Sequence, residues 1–272
     1  MKRTFILFLI IFILPFICLG INPDREYILK PDAIGLDYKE MIINAGNATL
    51  KAWIIDPKTD TQKNTTIILA YPDAGNMSYF TYHASIFASH GYRVVTFDYR
   101  GFGESSDFEV ERMNLYHDEF IEDLTSVVDK VSQTYKTDRI GIWGLSMGAV
   151  VAVQAYEQTK DHVDFMILEG LVTDIKVHAS RLKQAKDVEI NLPTDFQSYP
   201  QRLRTIDIPV IVFAGTEDTL TTTQDAIALS EEMKNMEVIT YEGGHLRGFQ
   251  AWEPQDFGQG YLARVTEFTQ SF

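Results

Sequence analysis

A serine flanked by small residues stands where a hydroxyl could carry out acyl-transfer chemistry. Residues 144–148 read Gly-Leu-Ser-Met-Gly, the pattern G-x-S-x-G, and they lie where the apolar run RIGIW ends and a helical pattern begins. In this strand–turn–helix context the serine hydroxyl is lifted out of the core to the start of a helix, where the dipole favours developing negative charge. Both glycine positions must stay small because strand and helix pack closely there. Ser146 is therefore the candidate nucleophile.

A serine hydroxyl reacts well only when a base accepts its proton. His245, in the stretch YEGGHLRG, follows the last predicted strand on a Gly-Gly loop and precedes the final helical pattern. A histidine at that edge of a parallel sheet can reach over the serine, so His245 is the predicted base. The other histidines fall in or beside predicted helices, before a strand, or in a polar insertion: His83, His90, His117, His162 and His178.

The acid that orients such a histidine should lie between the serine and the histidine in the chain, directly after a strand. The stretch VFAGTEDTL offers Glu217 and Asp218 at this place, and we favour Asp218. Asp174, after the preceding strand, is the second choice. The plain structural explanation of Asp218 is an N-cap of the next helix. As an orienting acid it would fix the imidazole tautomer and stabilise the imidazolium.

The anion that forms during acyl transfer needs hydrogen-bond donors. One predicted donor is the backbone N–H of Met147, directly after the nucleophile. The second donor is expected from the loop PDAGN, residues 72–76, where Asp73 or Ala74 can present an N–H.

The elements that position these residues alternate between strands and helices. The stretches YKEMIIN and ATLKAWIID flank the turn AGN and predict an antiparallel hairpin. Short apolar runs predict strands covered on both faces at 65–71, 92–99, 138–144, 163–170, 209–215 and 236–243. Helical patterns occupy 78–90, 115–136, 147–160, 221–235 and 258–271. The predicted fold is α/β, with a doubly wound, mostly parallel eight-stranded sheet.

One polar segment interrupts this alternation. Residues 174–207 contain Pro193 and Pro200 and follow the sixth predicted strand, and we predict that they form a small helical lid. The sequence has no Pro/Gly/Ser-rich linker and no internal repeat, so residues 21–272 are predicted to form one domain that includes this insertion.

The first twenty residues differ in character from the rest. MKRTFILFLIIFILPFICLG has two basic residues, an apolar run and small residues near Gly20, which is typical of a secretory signal peptide. We expect residues 1–20 to direct export, with an uncleaved anchor as the alternative. The product would be periplasmic, secreted or membrane-anchored. Cys18 also raises lipid attachment, which Ile17 disfavours because a small residue usually precedes the lipidated cysteine.

Charge and cysteine content exclude several classes of function. The chain carries a formal charge of −14, which becomes −16 when Lys2 and Arg3 are removed with residues 1–20. Such an acidic surface argues against nucleic acid and anionic membrane as partners, so membrane contact is expected only through residues 1–20 if they are retained. Cys18 is the sole cysteine, so the mature chain would have no disulfide, thiolate catalysis or cysteine-ligated zinc.

Several motifs in a fixed order resemble one known family. KPDAIGLDYKE at 30–40, DYRGFGES at 98–105, the GLSMG turn, AGTEDTLTT and the ending GGH are similar to those of the α/β-hydrolase superfamily, in its small-lid, serine-aminopeptidase-like branch. The resemblance covers about residues 27–271. It implies Ser146 as nucleophile, Asp218 as acid and His245 as base, with oxyanion N–H groups at Met147 and Asp73.

This chain departs from the family pattern in the oxyanion loop. It has Tyr-Pro-Asp-Ala-Gly-Asn at 71–76 where the family usually has His-Gly-Asn-Ala-Gly-Asn. A carboxylate at Asp73 would weaken oxyanion stabilisation if it pointed inward. Asp98 and Arg100, in DYRGFGES, are expected to brace their loop as a pair rather than to contact substrate.

The predicted function is that of an exported serine hydrolase that cleaves an ester, thioester or small amide through an acyl-enzyme. It would act on a small-molecule acyl substrate, with an esterase favoured, and needs no cofactor or metal. An aminopeptidase would need a lid acid to hold the substrate amine, and a lipase would need an apolar acyl groove. A non-catalytic ligand-binding protein of the same fold is the remaining alternative. The lid residues concerned are Asp187, Glu189 and Asp195 for the amine, and Ile190, Leu192, Phe196 and Tyr199 for the groove.

Overall fold

Parallel strands of mostly apolar sequence build the centre of the molecule. The computed structural model describes residues 20–58, 62–252 and 257–272. The strands of the main sheet within these ranges are β1 (Lys39–Ala45), β2 (Ala48–Ile55), β3 (Thr65–Ala70), β4 (Arg93–Phe97), β5 (Arg139–Leu145), β6 (Phe165–Glu169), β7 (Val210–Gly215) and β8 (Met236–Tyr241). Their order across the sheet is β1-β2-β4-β3-β5-β6-β7-β8.

The pairing directions follow from the connections. The two-residue turn between β1 and β2 gives an antiparallel hairpin, and β2 also pairs antiparallel with β4. The other neighbouring strands pair parallel, as strands joined by helical crossovers must. Every residue of β3 and β7 is buried, which matches their continuous apolar sequence. The predicted α/β class and eight-stranded, mostly parallel sheet are therefore confirmed.

Helices cover the faces of this sheet. In the described ranges they are α1 (Thr81–Ser89), α2 (Asp118–Thr134), α3 (Met147–Thr159), α4 (Ile175–Lys186), α5 (Tyr199–Arg204), α6 (Thr223–Glu232) and α7 (Gln259–Gln270). Each helix predicted to pack on the sheet is present, although α1 and α2 begin three residues later than the sequence pattern indicates.

In two helices the distribution of apolar residues matches the position of the helix in the fold. In α2 one face is apolar and buried, and the opposite face is polar, as expected of a helix that covers a sheet. Residues 147–156 of α3 are all buried, so this helix lies between the sheet and other elements. The residues that follow the G-x-S-x-G serine are therefore held on all sides.

The insertion predicted as a lid contains α4, a 3₁₀ turn at Phe196–Ser198 and α5. Asp174 N-caps α4 by accepting a hydrogen bond from the Val177 N–H at 3.0 Å. Arg181 of α4 pairs with Asp225 of α6, which ties the insertion to the main domain.

The chain ahead of the sheet is also part of the folded unit. Asn22–Pro23 pairs parallel with Ala74–Gly75, within the loop predicted to supply an oxyanion donor. Ile21 is fully buried, and its backbone N–H donates to the Arg112 carbonyl at 2.7 Å. The sequence patterns do not predict this pairing. Residues 1–19, the bulk of the predicted signal peptide, lie outside the described residues, and no helix among those described is long and apolar enough to span a membrane.

Asp98 and Arg100 brace separate parts of the molecule. The buried Asp98 carboxylate accepts hydrogen bonds from the Tyr27 hydroxyl at 2.7 Å and the Met77 N–H at 2.8 Å. Arg100 instead forms a buried ion pair with Asp123, with Nε 2.9 Å from Oδ1. Both residues are structural, as expected, but each braces through its own partners rather than as a pair.

Burial has a measurable consequence at Asp98. It raises the pKa of this carboxyl from 3.8 to about 6, since desolvation outweighs the hydrogen bonds from Met77 and Tyr27. The proton bound in the folded state stabilises the protein below pH 3.8, and this stabilisation is lost as the pH rises through about 6.

We predict that Asp98→Asn removes this dependence. Relative to the variant, the wild type should lose about 2 kcal/mol of unfolding free energy between pH 4 and pH 7. Urea unfolding across this range measures the difference. Asp107→Asn, at a fully exposed carboxylate, controls for net charge. A difference between wild type and Asp98→Asn that does not change with pH would contradict the prediction.

Candidate active site

Ser146 occupies the turn between β5 and α3. Its backbone angles are φ 51° and ψ −113°, a region that non-glycine residues rarely adopt. Strain of this kind persists only where the surroundings impose it, and it is frequent at functional sites. The Ser146 N–H donates to the Glu169 carbonyl at 2.9 Å, which anchors the turn to the neighbouring strand β6.

The two flanking glycines are required by close backbone contacts. A Cβ atom at Gly148 would lie 1.9 Å from the carbonyl oxygen of Ala70, the last residue of β3. A Cβ atom at Gly144 would lie 2.8 Å from the Cα of Ala149 in α3. Both distances are shorter than real Cβ contacts, and both atoms belong to backbone that cannot move freely. The prediction that these positions must be small is confirmed.

His245 lies over the serine. It sits in the loop after β8, and its Nε2 is 3.0 Å from the Ser146 Oγ, while its Nδ1 is 2.7 Å from Asp218 Oδ2. With the proton on Nδ1, the imidazole donates to the carboxylate and Nε2 accepts from the serine hydroxyl. A hydroxyl, an imidazole and a carboxylate thus lie in hydrogen-bond reach of one another, the arrangement that nucleophilic catalysis by a serine requires.

Asp218 is held by its own turn as well as by the histidine. Its Oδ1 accepts from the backbone N–H groups of Leu220 and Thr221, and its Oδ2 accepts from the Thr221 hydroxyl at 2.6 Å. Burial raises the pKa of this carboxyl, but the hydrogen bonds from His245 and Thr221 outweigh burial and lower the pKa to about 2. The Asp218 carboxylate is therefore ionised at neutral pH.

The structure distinguishes among the three candidate acids. Asp218 contacts His245, whereas Asp174 caps α4 and Glu217 is exposed to solvent. The helix cap that could have explained Asp218 is provided by Thr222, whose side chain accepts from the Asp225 N–H. Asp218 thus has no capping role at α6.

The two predicted oxyanion donors lie on different elements, Met147 on α3 and Asp73 in the loop after β3. Met147 is the first residue of α3, so its N–H points out of the helix N-terminus beside Ser146. Asp73 is half-buried in the loop after β3, and its carbonyl accepts from the Asn22 N–H at 2.7 Å. The contact between Gly148 and the end of β3 brings the start of this loop against the α3 N-terminus.

Further groups fix the shape of this loop. The Asn76 side chain donates to the carbonyls of Asp24 and Glu26, at 3.0 and 2.8 Å, and accepts from the Ser78 N–H. The Asp98 carboxylate accepts from Met77 just beyond it. The loop is therefore held from the N-terminal segment on one side and from β4 on the other.

A second histidine lies close to the acid. His178, on α4, is buried, and its Nδ1 is 3.4 Å from the Leu220 carbonyl in the turn that carries Asp218. Burial lowers its pKa to about 4, so this imidazole is neutral at physiological pH. It packs the insertion onto the acid-bearing turn. Among the described residues, no cluster of His, Cys, Asp and Glu could hold a metal ion.

Sequence reasoning missed two contributors to this site. The N-terminal pairing at Asn22 supports the loop after β3, and the buried Glu169 contacts the loop that carries His245. The signal for Glu169 is a charged residue at the end of the apolar run VDFMILEG, where a strand ends at the functional edge of the sheet. Asn22 gives no comparable signal, because its contact is made by the backbone.

Comparisons with known proteins agree with the fold. Residues 74–193 match the family model of serine aminopeptidases, S33. The structure of the esterase Pf2001 from Pyrococcus furiosus superimposes with a TM-score of 0.71 at 23% identity, covering 92% of this chain and 99% of that one.

Two curated relatives have sequence similarity to part of this chain. An uncharacterised membrane protein of Saccharomyces cerevisiae, YNL320W, is 28% identical over 56% of this chain and 52% of its own length. The lysophosphatidylserine lipase ABHD12 of Macaca fascicularis is 35% identical over 59% of this chain and 41% of its own. The chain thus spans about half the length of these relatives.

We predict that Gly148→Ala destabilises the protein by about 1–3 kcal/mol, because the new methyl group meets the Ala70 backbone. Gly244→Ala is the matched control, since a Cβ atom there would have nothing within 4 Å. Thermal unfolding of both variants measures the effect. Equal melting temperatures would show that the close approach at Gly148 is not a constraint.

Proposed function

We propose that this chain, which has the α/β-hydrolase fold, is a serine hydrolase that cleaves an ester bond through an acyl-enzyme intermediate. The observation that carries the proposal is the hydrogen-bonded series from Ser146 through His245 to Asp218, with contacts of 3.0 and 2.7 Å. Thioesters and small amides are substrates of the same chemistry. The proposed reaction needs no cofactor or metal.

The proposed mechanism uses each group in turn. His245 accepts the proton of Ser146 as the hydroxyl attacks the acyl carbonyl, and it then donates that proton to the leaving group. Asp218 keeps the imidazole in the required tautomer and stabilises the imidazolium. Water, activated by His245, then hydrolyses the acyl-enzyme. The N–H groups of Met147 and Asp73 are the proposed donors to the tetrahedral oxyanion.

An aminopeptidase is less well supported, although the family model carries that name. It would need a free acid in the lid to bind the substrate amine. Asp187 already pairs with Lys183 at 2.7 Å, and Asp195 pairs with Arg202 at 2.6 Å. The remaining candidate, Glu189, is exposed. An esterase is therefore the better interpretation.

A lipase of the same mechanism is the second candidate. Among the proposed groove residues, Leu192 is exposed and Phe196 half-buried, while Tyr199 is buried and donates to the Val172 carbonyl. An exposed leucine in the lid favours contact with an acyl chain, and one relative is a lysophosphatidylserine lipase. Hydrolysis of p-nitrophenyl esters of increasing chain length separates the two, because an esterase prefers short chains and a lipase long ones.

A ligand-binding protein without turnover remains the alternative from another class. The carboxylate of Asp73 beside the proposed anion site is the feature that favours it. Absence of ester turnover, combined with a rise in melting temperature on ligand addition, would support binding alone.

We further propose that the protein is exported. The basic and apolar character of residues 1–20 supports export. Ile21, the expected first residue after cleavage, is buried, and its backbone nitrogen donates to the Arg112 carbonyl. Cleavage after Gly20 would therefore keep this contact in the mature chain. Mass spectrometry of the purified protein's N-terminus distinguishes cleavage from a retained anchor.

We predict that a fluorophosphonate probe labels the wild type and fails to label Ser146→Ala, because the probe is attacked by the activated serine hydroxyl. Gel fluorescence of the purified proteins measures labelling. Ser132→Ala removes a hydroxyl of α2 that donates to the Asp129 carbonyl of the same helix; it is the matched control and should label fully. Equal labelling of the Ser146 variant would exclude this serine as nucleophile.

We predict that Asp218→Asn lowers kcat for a p-nitrophenyl ester by about 10⁴-fold, since an amide cannot hold the imidazole tautomer that accepts the serine proton. Glu217→Gln, at the exposed neighbouring position, should retain wild-type kcat. Steady-state kinetics at pH 8 compare the two variants. A similar small loss in both would assign the orienting acid elsewhere.

A further inference from the structure

One carboxyl group that the proposed mechanism does not use lies buried beside the site. Glu169 is the last residue of β6 and is 3% exposed. Its Oε1 accepts hydrogen bonds from the Gly248 N–H and the Tyr241 hydroxyl, both at 2.8 Å. Burial raises the pKa of this carboxyl, and these two hydrogen bonds oppose the rise. The burial cost of this acid is therefore offset by specific hydrogen bonds, as is usual for buried polar groups in folded proteins.

The partners of Glu169 mark both ends of the loop that carries His245. Tyr241 is the last residue of β8, and Gly248 follows the histidine by three positions. The Tyr241 hydroxyl also accepts from the Arg247 N–H at 3.1 Å and lies 3.0 Å from the Gly244 carbonyl. One carboxylate and one phenol therefore close residues 241–248 into a fixed loop.

This loop contains backbone strain that needs such support. Leu246, directly after the histidine, has a φ of 56°, which is uncommon for a non-glycine residue. Ser146 has a φ of 51°. Glu169 is bonded to both strained segments, since its carbonyl accepts from the Ser146 N–H and its side chain accepts from Gly248. Hydrogen bonds to the same residue, Glu169, thus hold both the segment of the proposed nucleophile and the segment of the proposed base.

The residue after Glu169 shapes the seat of the imidazole. A Cβ atom at Gly170 would lie 2.7 Å from His245 Cε1 and 3.3 Å from Nε2. The absence of a side chain at this position leaves the space that the ring occupies. The Glu169–Gly170 dipeptide therefore both holds the histidine loop and makes room for its side chain.

We propose that Glu169 is a positioning residue of the reaction, whose carboxylate holds the 241–248 loop so that His245 stays within reach of Ser146. This inference rests on the proposed serine-hydrolase function. Glu169 acts through His245 and does not touch the substrate.

The test compares three single variants of the purified protein with the wild type, with p-nitrophenyl acetate as substrate. Each variant is assayed well below its own melting temperature. Glu169→Ala removes the acceptor and should lower kcat by about 10²-fold with KM changed less than threefold, because a misplacement of about 1 Å has an effect of this size. Glu169→Gln keeps an acceptor oxygen for Tyr241 and Gly248 and should stay within about fivefold of the wild type. Glu242→Ala, at an exposed acid of the same loop, should match the wild type.

A double variant separates positioning from general destabilisation. In a His245→Ala background, Glu169→Ala should cause no further loss of kcat, since the residue that it positions is already gone. A further loss there, equal losses in the Ala and Gln variants, or wild-type kcat in Glu169→Ala would each overturn the inference. Ser146→Ala without loss of activity would instead overturn the proposed function itself, so the two failures are distinguishable.

Discussion

The close approach of two backbone segments, at Gly148 and Ala70, is the constraint on which the site depends. The start of α3 lies against the end of β3, with no space for a side chain between them. A helix that begins so close to the sheet leaves a single residue to reverse the chain, and Ser146 takes the positive φ that this reversal requires. The same contact brings the loop after β3 to the helix N-terminus, so the proposed nucleophile, Ser146, and both proposed oxyanion donors share one edge of the sheet.

Strain at this edge is balanced by the rigidity of what surrounds it. Residues in unfavourable backbone regions cost about 1–3 kcal/mol each, and Ser146 and Leu246 are both in such regions. Parallel strands buried on both faces form a rigid support for these segments. Glu169, at the end of one of these strands, bonds to both strained segments. The glycines of the histidine loop are therefore compatible with a well-placed imidazole, because Glu169 bonds to both ends of the loop and the Gly243 and Gly244 carbonyls inside the loop accept hydrogen bonds.

The sequence was informative where side-chain chemistry or periodicity carries the signal. The sheet follows from apolar runs such as TTIILAY, and the place of His245 follows from its position after the last strand. Asp218 was separable from Glu217 and Asp174 only by expected order and strand position, and the structure places it alone of the three against the imidazole. Glu169 was not recognised because an acid ending an apolar run gives no indication of partners that lie 72 and 79 positions further along the chain.

The oxyanion donors illustrate a more general limit. A nucleophile, a base and an acid each need a particular side chain, so residue types alone reduce the candidates to a few. A backbone N–H belongs to every residue except proline, and its usefulness depends on direction, which is set by whatever holds the backbone. Here that direction is fixed by Asn22, the Asn76 side chain and Asp98, which all lie outside the turn that carries the serine. The contact from Asn22 reaches the backbone carbonyl of Asp73 and does not depend on the side chain at that position, so the aspartate leaves in place the N–H group that the proposed catalysis uses.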